Sequence, residues 1–386
     1  MIRMDKEVEL LLACSRPQMD SVSADGICRL LQEEIDWNWM LKAARSHGVW
    51  PIMYHNLKAV CPEAVPQDIL SKLKNVYLDN ALRNLLLIKE LFRIIEDFQN
   101  HGIEAVPFKG PALARMAYGD VTQRSFSDLD IMVRKQNVLQ ARDLLQSAGY
   151  KPEIPMTSDQ EVKYLKANCE YNFNRQSPNV HVEIHWAFLP TNYYAPFDER
   201  IWSRLETMTF EGTRVQSFSS DDLVLALCAH ATKHQWFQIK MVSDLAGLIS
   251  RHQIDWDQVV ASADEMGLMR ILHIGLFLAH DLLDAKLPEQ MLYKIEKDNT
   301  AKKMALHISE KLFSETNGMD GIIERYLFWP RTRERLSDRV KYLLFVGFEP
   351  TQADYDAFPM PDFLNPFYWI VRPVRLFYQY GLKKRI

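Results

Sequence analysis

Phe108-Lys109-Gly110-Pro111-Ala112-Leu113-Ala114, followed after a gap by Arg124-Ser125-Phe126-Ser127-Asp128-Leu129-Asp130-Ile131-Met132-Val133, reads as strand, glycine turn, helix, loop and second strand. Side chains alternate along a strand, so Asp128 and Asp130 share one face while Leu129 and Ile131 take the other. Two like charges on one face of a strand repel, and Asp is a poor strand former. The pair therefore calls for a cation, most simply Mg²⁺ or Mn²⁺ carrying part of its water shell and the phosphates of a substrate.

Working outward, Ile103 to Phe108 suits a strand, Pro111 to Tyr118 a helix, Gln136 to Ala148 a helix stopped by Gly149, and Ser158 to Lys166 another helix. Cys169–Asn174 and Asn179–Trp186 flank the turn sequence Gln176-Ser177-Pro178-Asn179 and predict a hairpin. On the second of these strands Val182 and Ile184 face a core, while His181, Glu183 and His185 share the opposite face. If that strand neighbours the Asp128 strand, Glu183 becomes a third carboxylate of one site. Such a trio suits phosphoryl-type displacement, in which the third member can also accept a hydroxyl proton.

On both sides the chain reads as helical. Segments near 4–14, 23–35 and 37–46 precede a helix opened by Pro51, and a long helix runs from about Pro66 to His101. Its expected apolar stripe is Leu70, Leu73, Tyr77, Ala81, Leu85, Ile88, Phe92 and Ile95, which reads as scaffold. After an extended piece around Val215 to Phe218, Ser219 or Ser220 caps a helix reaching His234. Further helices are expected over 238–250, 255–266, 268–284, 288–296 and 299–315. The fold class is therefore α+β, a small mixed-sheet core embedded between helical regions. The expected divisions are 1–100, 101–218, 219–320 and an aromatic, basic segment 321–386.

Lys109-Gly110-Pro111-Ala112-Leu113-Ala114, Arg124, Ser127-Asp128-Leu129-Asp130 and Val182-Glu183-Ile184-His185-Trp186 together resemble the uncharacterised bacterial nucleotidyltransferase family of the polymerase-beta-like superfamily. His230-Ala-Thr-Lys233-His234-Gln-Trp236 with Asp244 resembles that family's helical half. The resemblance implies a minimal nucleotidyltransferase fold that moves a nucleoside monophosphate from a nucleoside triphosphate. Asp128, Asp130 and Glu183 would be catalytic and metal-binding; Lys109, Gly110, Arg124, Ser127, Lys233 and His234 would face the nucleotide. Many superfamily members carry Gly-Gly or Gly-Ser where this chain has Lys109-Gly110. Lys109 can therefore contact phosphate or pair with a carboxylate. Asp130→Asn is expected to abolish transfer with little loss of folding, by relieving repulsion.

Alternative readings are a nucleotide-binding or regulatory protein without turnover, and a helical interaction protein with zinc at His230 and His234. The zinc reading lacks the glutamate of an HExxH pair, because position 231 is Ala. A net charge of −4 argues against an extended nucleic-acid groove, leaving an RNA end, a protein side chain or a small molecule as acceptor. Five scattered cysteines without a CxxC pair predict reduced thiols and a cytoplasmic location, and neither a signal peptide nor a spanning helix is expected. Arg372, Arg375, Lys383, Lys384 and Arg385, interleaved with Trp369, Phe377, Tyr378 and Tyr380, predict a terminal amphipathic helix docked on the body with snorkelling basic residues.

Overall fold

The computed structural model describes residues 5–190, 199–210, 212–314, 322–350 and 367–378, with single positions 354, 357, 358, 360 and 364 between the last two stretches. Four helices open the chain: α1 (Lys6–Cys14), α2 (Ser21–Leu30), α3 (Trp37–Ser46) and α4 (Trp50–Val60). Asp20 and Asp36 cap α2 and α3 by accepting backbone N–H bonds, and Pro51 occupies the first turn of α4. The long α5 (Gln67–Asn100) follows.

Its buried face differs from the expected stripe. Leu73, Ile88 and Ile95 are buried, but Leu85 is exposed, and Asn80 and Asn84 lie on the inward side. Those two amides bond the carbonyls of Val121, Thr122 and Arg124. Satisfying loop carbonyls is what allows a polar side chain to sit inside, and a pattern of apolar residues cannot reveal it.

The sheet is built from β1 (Ala105–Pro107), β2 (Asp128–Val133), β3 (Lys151–Pro152), β4 (Glu170–Gln176) and β5 (Asn179–His185), in the order β1-β2-β5-β4-β3. Only the central pair, β2 and β5, is parallel; its neighbours join antiparallel. Between β1 and β2 lie α6 (Gly110–Leu113) and a π-helical turn to Tyr118, while α7 (Val138–Ser147) and α8 (Ser158–Ala167) connect toward β4. Leu129, Ile131, Val133, Val182 and Ile184 bury one sheet face against the second half of α5, including Leu91, Ile94 and Phe98. The opposite face is free to carry charge.

A hairpin of β6 (Glu206–Phe210) and β7 (Thr213–Ser217) leads into the remaining helices. These are α9 (Ser220–Lys233), α10 (Ile239–Arg251), α11 (Trp256–Met266), α12 (Met269–Leu283), α13 (Glu289–Lys297), α14 (Asn299–Leu312), α15 (Ile322–Thr332), α16 (Leu336–Phe348) and α17 (Tyr368–Leu376). The Ser219 hydroxyl accepts the Asp222 N–H and starts α9. Residues of α1–α4 such as Leu10, Ile27, Met40 and Met53 share one core with Leu223, Leu245, Leu272 and Ala305 of the later helices.

Two expectations change. Cys28 and Cys61 are joined by a disulfide, while Cys14, Cys169 and Cys228 are free and buried. Packing of α2 against α4 brings the bonded pair together across 33 residues, a proximity no spacing rule contains. The terminal helix α17 is amphipathic but turns inward Tyr368 and Arg372, with Arg372 bonded to Asp354. Trp369, Ile370 and Val374 on the same helix are exposed instead. Tyr380, Lys383, Lys384 and Arg385 lie outside the described residues.

Candidate active site

Gly110 begins the site. Its φ of +52° strains any L side chain, and the Asp128 carbonyl, 3.0 Å from where a Cβ would lie, would have to give way to one. The chain can therefore turn from β1 into α6 directly against the start of β2. Lys109, one residue earlier, projects back over the Phe108 ring and bonds Asp130. The open question about Lys109 resolves in favour of the carboxylate.

Parallel pairing of β2 with β5 sets Asp130 opposite Glu183 and Asp128 opposite His181. His185 Nε2 lies 3.2 Å from both Asp130 Oδ1 and Glu183 Oε2, and His181 Nε2 lies 3.4 Å from Glu183 Oε1. A fourth carboxylate, Glu170 on β4, stands 3.7 Å from His185 Nδ1. Asp128, Asp130 and Glu183 are thus brought onto one face.

Their electrostatics differ. Burial and the neighbouring Asp130 push the Asp128 carboxyl up, with Lys109 opposing. For Asp130 burial also pushes upward, but Lys109 and His185 outweigh it and hold the group below the ordinary range. Glu183 follows the same logic: burial is overcome by His181 and His185, which keep it strongly ionised. Burial disfavours charge on His185, yet its bonds to Asp130, Cys169 and Glu183 raise its pKa well above that of free imidazole. The expectation for Asp130→Asn changes accordingly: Asp130 is the most buried carboxylate of the trio and the partner of Lys109, so its removal does more than relieve repulsion.

Beside this face lies a small solvent-open cleft of about 90 Å³ lined by Lys109, Gly110, Arg124, Asp128, Asp130, His230, Gln238, Lys240 and Asp244, among others. Arg124 lines it with its guanidinium already engaged. Nε and Nη2 donate to the two Asp244 oxygens at 2.7 and 2.9 Å, and Nη1 to the Gly110 carbonyl at 3.4 Å. Tyr118 donates to Asp244 at 2.9 Å. This bidentate clasp joins the glycine-turn segment to α10 and fills the fork that sequence alone would offer to phosphate. Ser127 is exposed at the entrance of β2.

Lys233 and His234 stand apart from the cleft lining. On α9, Leu227, His230 and Ala231 face the cleft, which turns Lys233 toward β4, where its Nζ donates to Glu170 at 3.0 and 3.1 Å. His234 is exposed, its ring 4.7 Å from that of His230. Among the described residues the clusters able to ligate a metal are Asp130-Glu183-His185 and Cys169-Glu170-His185, and neither contains His230 or His234.

Sequence reasoning missed Lys240 and Gln238 in the first turn of α10 and just before it, because nothing local says that this turn abuts the sheet. Lys240 reaches the Ser125 carbonyl at 3.4 Å; burial, followed by the charge of Arg124, lowers its pKa. Glu170 was equally hidden, since it begins a strand whose partner lies elsewhere in sequence.

A mixed sheet with a glycine turn, and carboxylates of adjacent parallel strands on one face, two of them (Asp128 and Asp130) lining a helix-walled cleft, is the arrangement of a nucleotidyltransferase domain. The chain belongs to the uncharacterised nucleotidyltransferase family, whose profile matches residues 33–284, from just before α3 to the end of α12. No protein of curated function matches the chain.

Proposed function

We propose that the protein is a Mg²⁺-dependent enzyme that transfers a nucleoside monophosphate from a nucleoside triphosphate to an acceptor hydroxyl or phosphate, releasing pyrophosphate. The observation that carries this reading is the register of β2 on β5, which sets Asp130 beside Glu183 with Asp128 on the same face at the mouth of the cleft. The donor set offers oxygen ligands suited to a hard divalent cation: Lys109, His181 and His185 already pair Asp130 and Glu183, while Asp128, its pKa pushed up by burial and the adjacent like charge, is the carboxylate short of a counter-charge. Asp128, Asp130 and Glu183 would hold the metal, Mg²⁺ or Mn²⁺, which supplies charge neutralisation at the reacting phosphate.

The chain's own residues do the rest. His181 and His185 keep Glu183 ionised, which suits it to ligation better than to accepting a proton. Lys109 neutralises Asp130 and stays within the cleft wall, where its charge reaches the phosphates. Gly110 lets backbone approach the triphosphate, and Arg124 acts by holding that turn through Asp244. Lys240 takes the place first expected of Lys233 as the cation contributed by the helical side. In the same reading 101–218 is the transferase core, 219–320 the helical wall of the cleft, 1–100 and 321–386 its flanking parts. The location is cytoplasmic, supported by the substrate class instead of the cysteines.

The test is thermal unfolding of wild type and Asp130→Asn with each of ATP, GTP, CTP and UTP, with and without Mg²⁺. Ligand at about 100 times its dissociation constant stabilises by roughly 2.7 kcal/mol. A Mg²⁺-dependent rise in Tm that is lost in the variant supports the site; no rise with any triphosphate refutes it. Saturable binding that yields no pyrophosphate with any acceptor tried would favour the reading as a non-catalytic binding protein.

A further inference from the structure

The helices beyond residue 284, outside the family match, carry apolar faces turned to solvent. On α16 Leu336, Val340, Leu343, Leu344 and Phe348 recur at helical spacing, and Leu336 is 71% exposed. On α17 and its edges Phe367, Ile370, Val374, Phe377 and Tyr378 recur in the same way, beside Trp369. All six are more than half exposed, and α17 packs on α16, so the two faces belong to one unit. Soluble surfaces scatter single apolar residues; they do not ordinarily line them up along two packed helices.

Charge separates the candidate occupants. Residues 321–386 carry 11 Lys and Arg against 7 Asp and Glu, a net of +4, which leaves −8 on residues 1–320. Lys341 is exposed on α16, and Arg331 and Arg335 are exposed just ahead of it. A second copy would set like charge against like charge across the joint. An anionic surface with an apolar interior satisfies both features: the aliphatic residues enter it, Trp369 and Tyr378 sit at its polar boundary, and the basic groups meet its headgroups.

We propose that α16 and α17 form a peripheral membrane-docking surface selective for anionic lipid bilayers. The surface binds in the plane of the interface and does not cross it; no helix among the described residues is long and apolar enough to do so. It stands independently of the transfer reaction.

The experiment is co-sedimentation of the full chain with phosphatidylcholine vesicles prepared with and without phosphatidylglycerol. Binding is expected to the mixed vesicles only, and to weaken as ionic strength rises to about 0.5 M. Ile370→Glu on α17 and, separately, Leu344→Glu on α16 should each reduce partitioning about ten-fold or more, since each withdraws one buried apolar side chain and adds a repelled charge. Both positions are exposed, so circular dichroism and Tm should match wild type. Failure to bind the mixed vesicles, equal binding to neutral ones, or binding indifferent to both variants would overturn the proposal. So would concentration-dependent dimerisation in sedimentation velocity that both variants abolish without vesicle binding, which would assign the faces to a second copy.

Discussion

Replacing Asp130 and Asp128 in turn by Asn should move stability in opposite directions, although the residues are two apart on one strand. Asp130 is 2% exposed and holds Lys109, itself 7% exposed, so Asp130→Asn leaves a buried ammonium short of its counter-charge. Breaking such a pair from one side costs about 3–5 kcal/mol, and Asn retains an acceptor while Asp128 and Glu183 still face Lys109, which brings the expectation to about 2–3 kcal/mol. With an unfolding entropy near 2.1 cal/mol/K per residue, that corresponds to a fall of about 3 °C in Tm for a chain of this length. Asp128→Asn removes a charge that burial and Asp130 disfavour, so its Tm in chelator should equal or exceed wild type. Scanning fluorimetry at pH 7 with EDTA reads both. An Asp130→Asn protein as stable as wild type, or a loss of equal size in Asp128→Asn, would refute the reasoning. Added Mg²⁺ should stabilise wild type and neither variant to the same extent.

Gly110→Ala should cost about 1–2 kcal/mol for its left-handed backbone alone and more for the clash with the Asp128 carbonyl, lowering both Tm and nucleotide binding. Lys240→Met should weaken Mg²⁺-nucleotide binding roughly ten- to a hundred-fold, the worth of one charge-assisted hydrogen bond, and an unchanged Kd in titration calorimetry would remove Lys240 from the site. Glu90 is bonded by Arg93, Arg175 and Tyr150, which overcome burial and hold its pKa at about 2 instead of 4.5. Its folded pKa lies below its unfolded one, so this stabilisation is complete above about pH 4.5 and disappears as pH falls toward 2. Glu90→Gln should therefore be less stable than wild type at pH 7, with the gap closing below pH 4 in acid-unfolding curves.

What could be read from the chain and what could not divide along a physical line. That Asp128, Asp130 and Glu183 share one sheet face was legible because strand alternation is local and because Leu129, Val182 and Ile184 supply the matching apolar face. The helices from Ser219 to about residue 315 were legible through caps and apolar spacing, with ends that fall within a few residues of expectation, whereas α15 and α16 were not anticipated. The Arg124–Asp244 clasp joins residues 120 apart, and Lys233 with Glu170 joins residues 63 apart; each partner alone looks like an unattached charge. Asn80 and Asn84 were invisible for the same reason, since what buries them is the loop they hold. In β6, Glu206-Thr-Met-Thr-Phe210 alternates too weakly to announce a strand without its hairpin partner.

The shared core of the outer helices bears on how the chain is made. Leu10, Ile27, Met40 and Met53 emerge first and can pack on one another and on Ile69 and Leu73 of α5, but the part of their core supplied by α9–α14 begins about 160 residues after α4 ends. At roughly 5–20 residues per second the ribosome takes about ten to thirty seconds to deliver them. Through that interval the nascent amino-terminal helices keep open the apolar surface that α9–α14 later cover, while the sheet domain forms between the two halves of their eventual core. Synthesis of this protein therefore creates a defined window of chaperone demand, which closes when α12, against which α1 packs, leaves the exit tunnel.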